Sequence, residues 1–377
     1  MQKGECSVKK LGFGLMRLPL KDAKNAASID LDAVRPMVDL FMERGFTYYD
    51  TAYVYHNGAS ETAFREVVVK RYPRHAFTIT DKLPMAIIHK AEEMEPIFQK
   101  SMQRLGVNYI DYYWLHALTR ESYERAQRIG AFEFVRAKKD AGKVRHIGLS
   151  FHDSAEVLEQ ILNAHPEMEY VQLQLNYLDW EDEEVQAREC YEVCVRHGKP
   201  VIVMEPLRGG ALADVPAQVE QRFRACAPGA SVPSWGIRFA ASHEHVMMVL
   251  SGMSTLEQVR DNTGYMQDFI PMNEQEMCLA YEAGRKIRTT IAVPCTGCHY
   301  CDGCPQDISI PEYFSIYNEW KRMNFSKSEA MKKYRNLQRG LASACIACRQ
   351  CETRCPQHIG IVDALQQVAQ QLEEKYK

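Results

Sequence analysis

Eight of the thirteen cysteines lie between residues 295 and 355, in two runs. The first is Cys295-x2-Cys298-x2-Cys301-x2-Cys304-Pro305. The second is Cys345-x2-Cys348-x2-Cys351-x3-Cys355-Pro356. A CxxC turn presents two thiolates to adjacent corners of one metal centre. Three cysteines at this spacing can hold three irons of one cubane, and a fourth ligand must come from elsewhere. Two structural zinc sites are the alternative, but zinc ribbons usually build a site from two separated CxxC pairs, not from four cysteines in one run. The pattern therefore favours two 4Fe-4S clusters. The other five cysteines, Cys6, Cys190, Cys194, Cys226 and Cys278, are scattered. Cys190 and Cys194 fall on one face of a probable helix and read as buried thiols.

A second group of residues has types that suit proton transfer. Asp50 and Tyr55 stand in Asp50-Thr51-Ala52-Tyr53-Val54-Tyr55, Lys82 in Thr80-Asp81-Lys82, and His116 in Tyr113-Trp114-Leu115-His116. Taken singly, each has a bland reading: a helix cap, a packed ring, a solvated amine, a histidine satisfied by backbone. All four, however, stand at or just after the ends of three consecutive short apolar stretches.

Those stretches belong to a pattern that repeats from about residue 10 to residue 265, a short apolar segment, a turn and a helical segment. The strand candidates are 11–18, 47–51, 77–80, 109–115, 146–150, 170–175, 201–204 and 247–250. Between the first two, Leu31, Val34, Val38 and Phe41 form one helical stripe, with Gly45 as a C-terminal cap. Another helix runs from Ser60, placed to cap its start, to Tyr72, with Pro73 to end it. Eight strand–helix units imply an α/β fold, a (β/α)8 TIM barrel, with its active site at the strand C-terminal ends. A doubly wound sheet would want a Gly-rich phosphate loop, and Gly12-Phe13-Gly14 lacks the third glycine and sits inside a strand. After residue 270 the alternation stops. The expected organisation is a barrel over 1–270, a connecting helix over 271–293, and a small, mostly helical domain over 294–377. That domain carries the cysteine runs, a helical insert between them, and an amphipathic C-terminal helix from Ile361 that can pack back on the barrel. No low-complexity linker separates the two parts, so the small domain should be docked.

With 46 basic and 49 acidic residues, the net charge of −3 offers no field for nucleic acid. No apolar run is long enough to span a bilayer, and no apolar signal segment follows Met1. A cytoplasmic location is expected, where thiols stay reduced and clustered cysteines serve as metal ligands.

The second cysteine run has the spacing of the bacterial ferredoxin run, in which the fourth cysteine serves the other cluster. By that logic Cys295, Cys298, Cys301 and Cys355 hold one cluster, and Cys345, Cys348, Cys351 and Cys304 hold the other. The first run departs from the pattern, with x2 before its last cysteine. The long insert resembles the helical dicluster ferredoxin modules of larger redox enzymes. Residues 10–266 resemble the aldo–keto reductase family. The signature Asp-Thr-Ala-x-x-Tyr stands whole at Asp50–Tyr55, Lys143–Ser150 matches the family's fifth strand, and Ser251–Asn262 its last cofactor loop and helix. The combination resembles a bacterial subgroup with a C-terminal domain carrying two 4Fe-4S clusters.

The resemblance implies an NAD(P)H-dependent oxidoreductase acting on a small-molecule carbonyl. Tyr55 would be the general acid, Lys82 would lower its pKa, Asp50 would hold Lys82 charged, and His116 would orient the carbonyl oxygen. Ser150 and Gln172 fall where the family contacts the carboxamide. Phe151 replaces the usual asparagine, and Met204 replaces the aromatic that stacks on the nicotinamide. Ser251, Gly252 and Asn262 belong to the final cofactor loop. Gly252 and Gln258 stand where basic residues hold a 2′-phosphate, which favours NADH, with Arg260 nearby. Tyr53, Trp114, Tyr177 and Trp180 can line an apolar pocket or pack as core. The clusters would serve electron transfer or partner contact, for instance with a ferredoxin. The competing function is an electron-transfer protein on a non-catalytic barrel, and the complete tetrad argues against it.

Overall fold

The computed structural model describes residues 9–23, 25–322 and 325–373. Cys6, the N-terminal segment and the last four residues of the expected C-terminal helix lie outside them. Eight parallel strands close a barrel in sequence order: β1 Leu11–Gly14, β2 Tyr48–Asp50, β3 Thr78–Leu83, β4 Ile110–Leu118, β5 Val144–Phe151, β6 Tyr170–Gln174, β7 Val201–Met204 and β8 Val246–Ser251. β1 is shorter than its apolar run, because Leu15–Arg17 turn into a single 3-10 turn. Helices cover the outside. In Leu31–Glu43, Val34, Val38 and Phe41 are buried as expected, and Gly45 takes the left-handed conformation just past the helix end.

Ser60 departs from its expected role. The helix starts at Ala59, and the Ser60 hydroxyl is buried, 2.7 Å from Thr51 Oγ1 and donating to Leu15 O at 3.1 Å. It ties the loops after β1 and β2 together instead of capping a helix. The helix Glu274–Arg288 buries Ala280, Ala283 and Ile287 in the same core as the barrel helices.

The small domain has its own core, built on helices Ile310–Lys321 and Lys327–Asn336. The C-terminal helix Ile361–Leu372 buries Ile361, Leu365, Val368 and Leu372 there. The expected packing of this helix on the barrel is thus corrected: its apolar stripe packs in the small domain's own core. Gly340 brings the two cysteine runs side by side, pairing with Ile308 and donating its N–H to Asp307 O at 2.9 Å. A Cβ there would stand 1.9 Å from Gln306 O, so only glycine fits. Asn318 clamps the approach to the first run. Its Oδ1 accepts from the Ala292 and Val293 amides at 3.1 and 2.8 Å, and its Nδ2 donates to Val293 O at 2.7 Å. Among the described residues no helix is long and apolar enough to cross a membrane.

Candidate active site

Strand order alone places Asp50, at the end of β2, beside Lys82 on β3. Both side chains are almost wholly buried, and Lys82 Nζ donates to Asp50 Oδ1 and to Thr51 O, each at 2.7 Å. Burial raises the Asp50 pKa, and the Lys82 ammonium opposes that rise. A buried pair of this kind is costly to break, because the survivor keeps its desolvation penalty. Lys82→Met should therefore lower the unfolding free energy by about 3–5 kcal/mol at neutral pH. In the variant the folded-state pKa of Asp50 rises further above its unfolded value. The deficit is present above the folded pKa and shrinks as pH falls and Asp50 becomes neutral. Urea unfolding at neutral and mildly acidic pH checks this; a loss below 1 kcal/mol would show that the pair is not coupled as the 2.7 Å contact implies.

Tyr55 starts the turn after β2, whose next three residues have positive φ (His56 52°, Asn57 54°, Gly58 85°). The turn returns the chain to the barrel mouth and leaves Tyr55 half-buried there. Lys82 Nζ stands 4.9 Å from the centre of its ring, and the His116 ring meets it edge-on at 5.8 Å. Burial, then the nearby Asp50 and Glu205 charges, push the Tyr55 phenol well above 10, and a hydrogen bond with Tyr300 pulls it down. The expected depression by Lys82 is thus outweighed: the phenol stays protonated through the neutral range, as a proton donor must be.

His116 reaches the mouth through a bulge. Leu115 pairs with Leu149 and Leu118 with Phe151, so His116 and Ala117 together oppose Ser150 alone. Ala117 takes φ 54°, and its N–H donates to Ser150 Oγ at 2.7 Å. Bulges re-aim side chains beside active sites; here the bulge turns His116 inward, and Ser150 satisfies the amide it frees. Burial, then the Lys82 charge, hold the His116 pKa well below 6.5, so the ring is neutral.

Gln172 pairs with Ser150 across β5 and β6. Its side chain lies near the Asp50 carboxylate and helps hold that pKa down, while its Oε1 is buried without a partner. Met204 ends β7 half-buried. Across the mouth, Asn262 Nδ2 donates to Ser251 Oγ at 3.0 Å, and Gly252 lies against the Arg17 side chain. The aromatics do not form a common pocket. Trp114 is fully buried in the barrel interior with Tyr48, Ile202, Met248 and Leu250. Tyr177 and Trp180 pack on Phe239, and Tyr53 lies under Arg104.

The small domain sits on this mouth. Gln174 and Gln357 exchange amide hydrogen bonds at 3.0 and 2.7 Å, and Gln174 also joins the buried Asp179–Arg208 pair. Arg17 donates to Thr296 O at 3.0 Å. Gly209, at φ 66°, lies so close to Thr296 that a Cβ would stand 1.8 Å from its carbonyl oxygen. Cys295, Cys298, Cys301 and Cys355 line one cavity, closed by apolar residues such as Phe314 and Ile361. Burial raises the pKa of all four thiols, and each of the first three is also raised by Cys355. Cys304, Cys345 and Cys351 border the same small core, and Cys348 is exposed. Two residues that motif reading missed stand at the junction. Tyr300, between Cys298 and Cys301, places its hydroxyl 3.3 Å from His116 Nε2. Glu205 follows β7 at φ 55°, 3.8 Å from Arg17, with a pKa raised by burial.

The sequence model of the aldo/keto reductase family matches residues 10–281. The chain belongs to the aldo/keto reductase family. A second model, the 4Fe-4S dicluster domain, matches residues 294–359. Curated relatives of the reductase part include an aldo-keto reductase of Mycolicibacterium smegmatis, 29% identical over 144 residues, or 38% of this chain and 46% of that protein. The match thus spans less than half the length of that relative. The uncharacterized oxidoreductase YqkF of Bacillus subtilis is 23% identical over 68% of this chain and 87% of its own. Among solved structures, the holo form of aldo-keto reductase AKR11C1 from Bacillus halodurans shares the fold with TM-score 0.59, 22% identity and coverage of 73% of this chain and 91% of that one. An aldo-keto reductase from Klebsiella pneumoniae in complex with NADPH gives TM-score 0.54, 19% identity and coverage of 74% and 90%. The family and its relatives support an oxidoreductase, and the second match an iron–sulfur domain.

Proposed function

We propose that this chain reduces a carbonyl compound with a nicotinamide cofactor, with Tyr55 as the general acid. The observation that carries this is the convergence of Tyr55, His116 and the buried Asp50–Lys82 pair at the strand C-terminal ends. The Klebsiella relative holds NADPH, and the residues here suit such a group. Gln172 Oε1 is a buried acceptor without a partner, which a carboxamide N–H would satisfy. Bound at the mouth, the nicotinamide supplies the hydride. The chain's residues orient and protonate. Neutral His116 donates from Nε2 to the carbonyl oxygen, and the Tyr55 hydroxyl gives that oxygen its proton as negative charge develops. The Lys82 ammonium then faces the phenolate that remains.

The eight cysteines suit two 4Fe-4S clusters, the first held by the four thiols around the shared cavity. A hydride carries two electrons together and a cubane normally passes one, so simple carbonyl reduction does not need the clusters. We assign them to exchange with a one-electron partner such as a ferredoxin. Titration with each reduced dinucleotide, followed by turnover on an aldehyde panel, tests the reading; binding of neither would refute it. NADH should bind at least tenfold more tightly than NADPH, because Gly252 and Gln258 offer no cation to a 2′-phosphate. Gln258 Oε1 is already engaged by the Ser254 amide at 2.7 Å. Tighter binding of NADPH would show that Arg17 or Arg260 holds the phosphate.

A further inference from the structure

Carbonyl reduction by this site needs one oxygen that contacts both the Tyr55 hydroxyl and His116 Nε2. In the structure one hydroxyl already stands at that place. The Tyr300 hydroxyl stands 3.3 Å from His116 Nε2 and lies beside the Tyr55 phenol. Its ring meets His116 edge-on, with centroids 6.4 Å apart. Tyr300 comes from the iron–sulfur domain, not from the barrel.

Its position is fixed by docking. Four residues earlier, Thr296 is pinned by Arg17 and packed on Gly209 with no room between them. Arg17 also reaches Gly297 O at 3.4 Å. The chain from Thr296 to Cys301 therefore lies across the mouth on contacts at its start, and Tyr300 points down from it into the tetrad.

We propose that Tyr300 is a specificity-determining residue: its phenol occupies the carbonyl-oxygen position as a built-in competitor. A substrate must displace it to reach Tyr55 and His116. A small aldehyde offers little else to bind and is selected against. A carbonyl compound with binding groups beyond the reacting carbon makes contacts that offset the displacement.

This inference rests on the carbonyl-reduction reading, and the test separates the two. In Tyr300→Ala, KM for benzaldehyde should fall at least tenfold, with iron content and circular dichroism unchanged. An unchanged or higher KM would overturn the proposal. Benzoate supplies a readout without turnover, since its carboxylate accepts from the same two donors. Calorimetry should show benzoate binding at least tenfold more tightly to Tyr300→Ala than to the unaltered protein, and part of that gain should vanish in Tyr55→Phe/Tyr300→Ala. Equal benzoate affinity in the first pair would overturn the assignment. Should Tyr300→Ala lose iron, Tyr300→Phe keeps the ring, removes the competing hydroxyl, and should still bind benzoate more tightly. No gain in that variant would likewise overturn it. If benzoate tightens while neither protein reduces any aldehyde, the carbonyl reading fails and Tyr300's position stands.

Discussion

Tyr55→Phe should lower carbonyl reduction by about 10²–10⁴-fold, the usual contribution of a positioned general acid. Dinucleotide affinity should stay close to that of the unaltered protein. The phenol is protonated in the neutral range, since burial and the charges of Asp50 and Glu205 hold its pKa well above 10. Removing the hydroxyl takes away the proton donor and little of the ground-state contact, so kcat should fall far more than KM rises. Lys82 Nζ keeps its hydrogen bonds to Asp50 Oδ1 and Thr51 O in this variant, so the fold should hold. A variant that keeps most of its activity would mean that another group supplies the proton.

Serine at Cys298 and Cys301 should halve the iron, from about eight to about four per chain. Serine at Cys348 and Cys351 should halve it equally, because each pair is assigned to a different cluster. The two losses should differ in their reach. Cys298 and Cys301 flank Tyr300, next to the segment that Arg17 and Gly209 hold over the barrel. Loss of that cluster should raise amide exchange across residues 295–301 and around His116. Cys348 is exposed, and loss of its cluster should leave the barrel mouth protected. Zinc in place of iron, or about four irons in the unaltered protein, would contradict the assignment of two cubanes.

Much of this was legible from sequence because strand ends of a barrel converge by construction. Knowing that Asp50, Lys82 and His116 follow adjacent strands is enough to bring them together. Ligand spacing is local as well, and Cys295, Cys298, Cys301 and Cys355 line one cavity; their division between two clusters is a proposal. What stayed hidden depends on long-range fit. Tyr300 meets His116 across 184 residues of chain, and as a spacer between two cysteines it carried no signal. The β4 bulge that aims His116 depends on Ser150 accepting from Ala117, a partnership that no periodicity encodes. Ser60 has the residue type of a cap, but the approach of Leu15 and Thr51 claims its hydroxyl. The C-terminal helix shows its apolar stripe plainly, yet the stripe does not say which of two cores it will complete.

On the proposed mechanism, a hydride passes from a nicotinamide to a carbonyl carbon held between Tyr55 and His116. Reduced dinucleotide deuterated at the transferable position tests it most directly, with the aldehyde product analysed by mass spectrometry. The product should carry one deuterium on the carbinol carbon, and Tyr55→Phe should not form it. Reduced product whose carbinol hydrogen comes from solvent would contradict the mechanism, because that outcome belongs to stepwise electron and proton delivery.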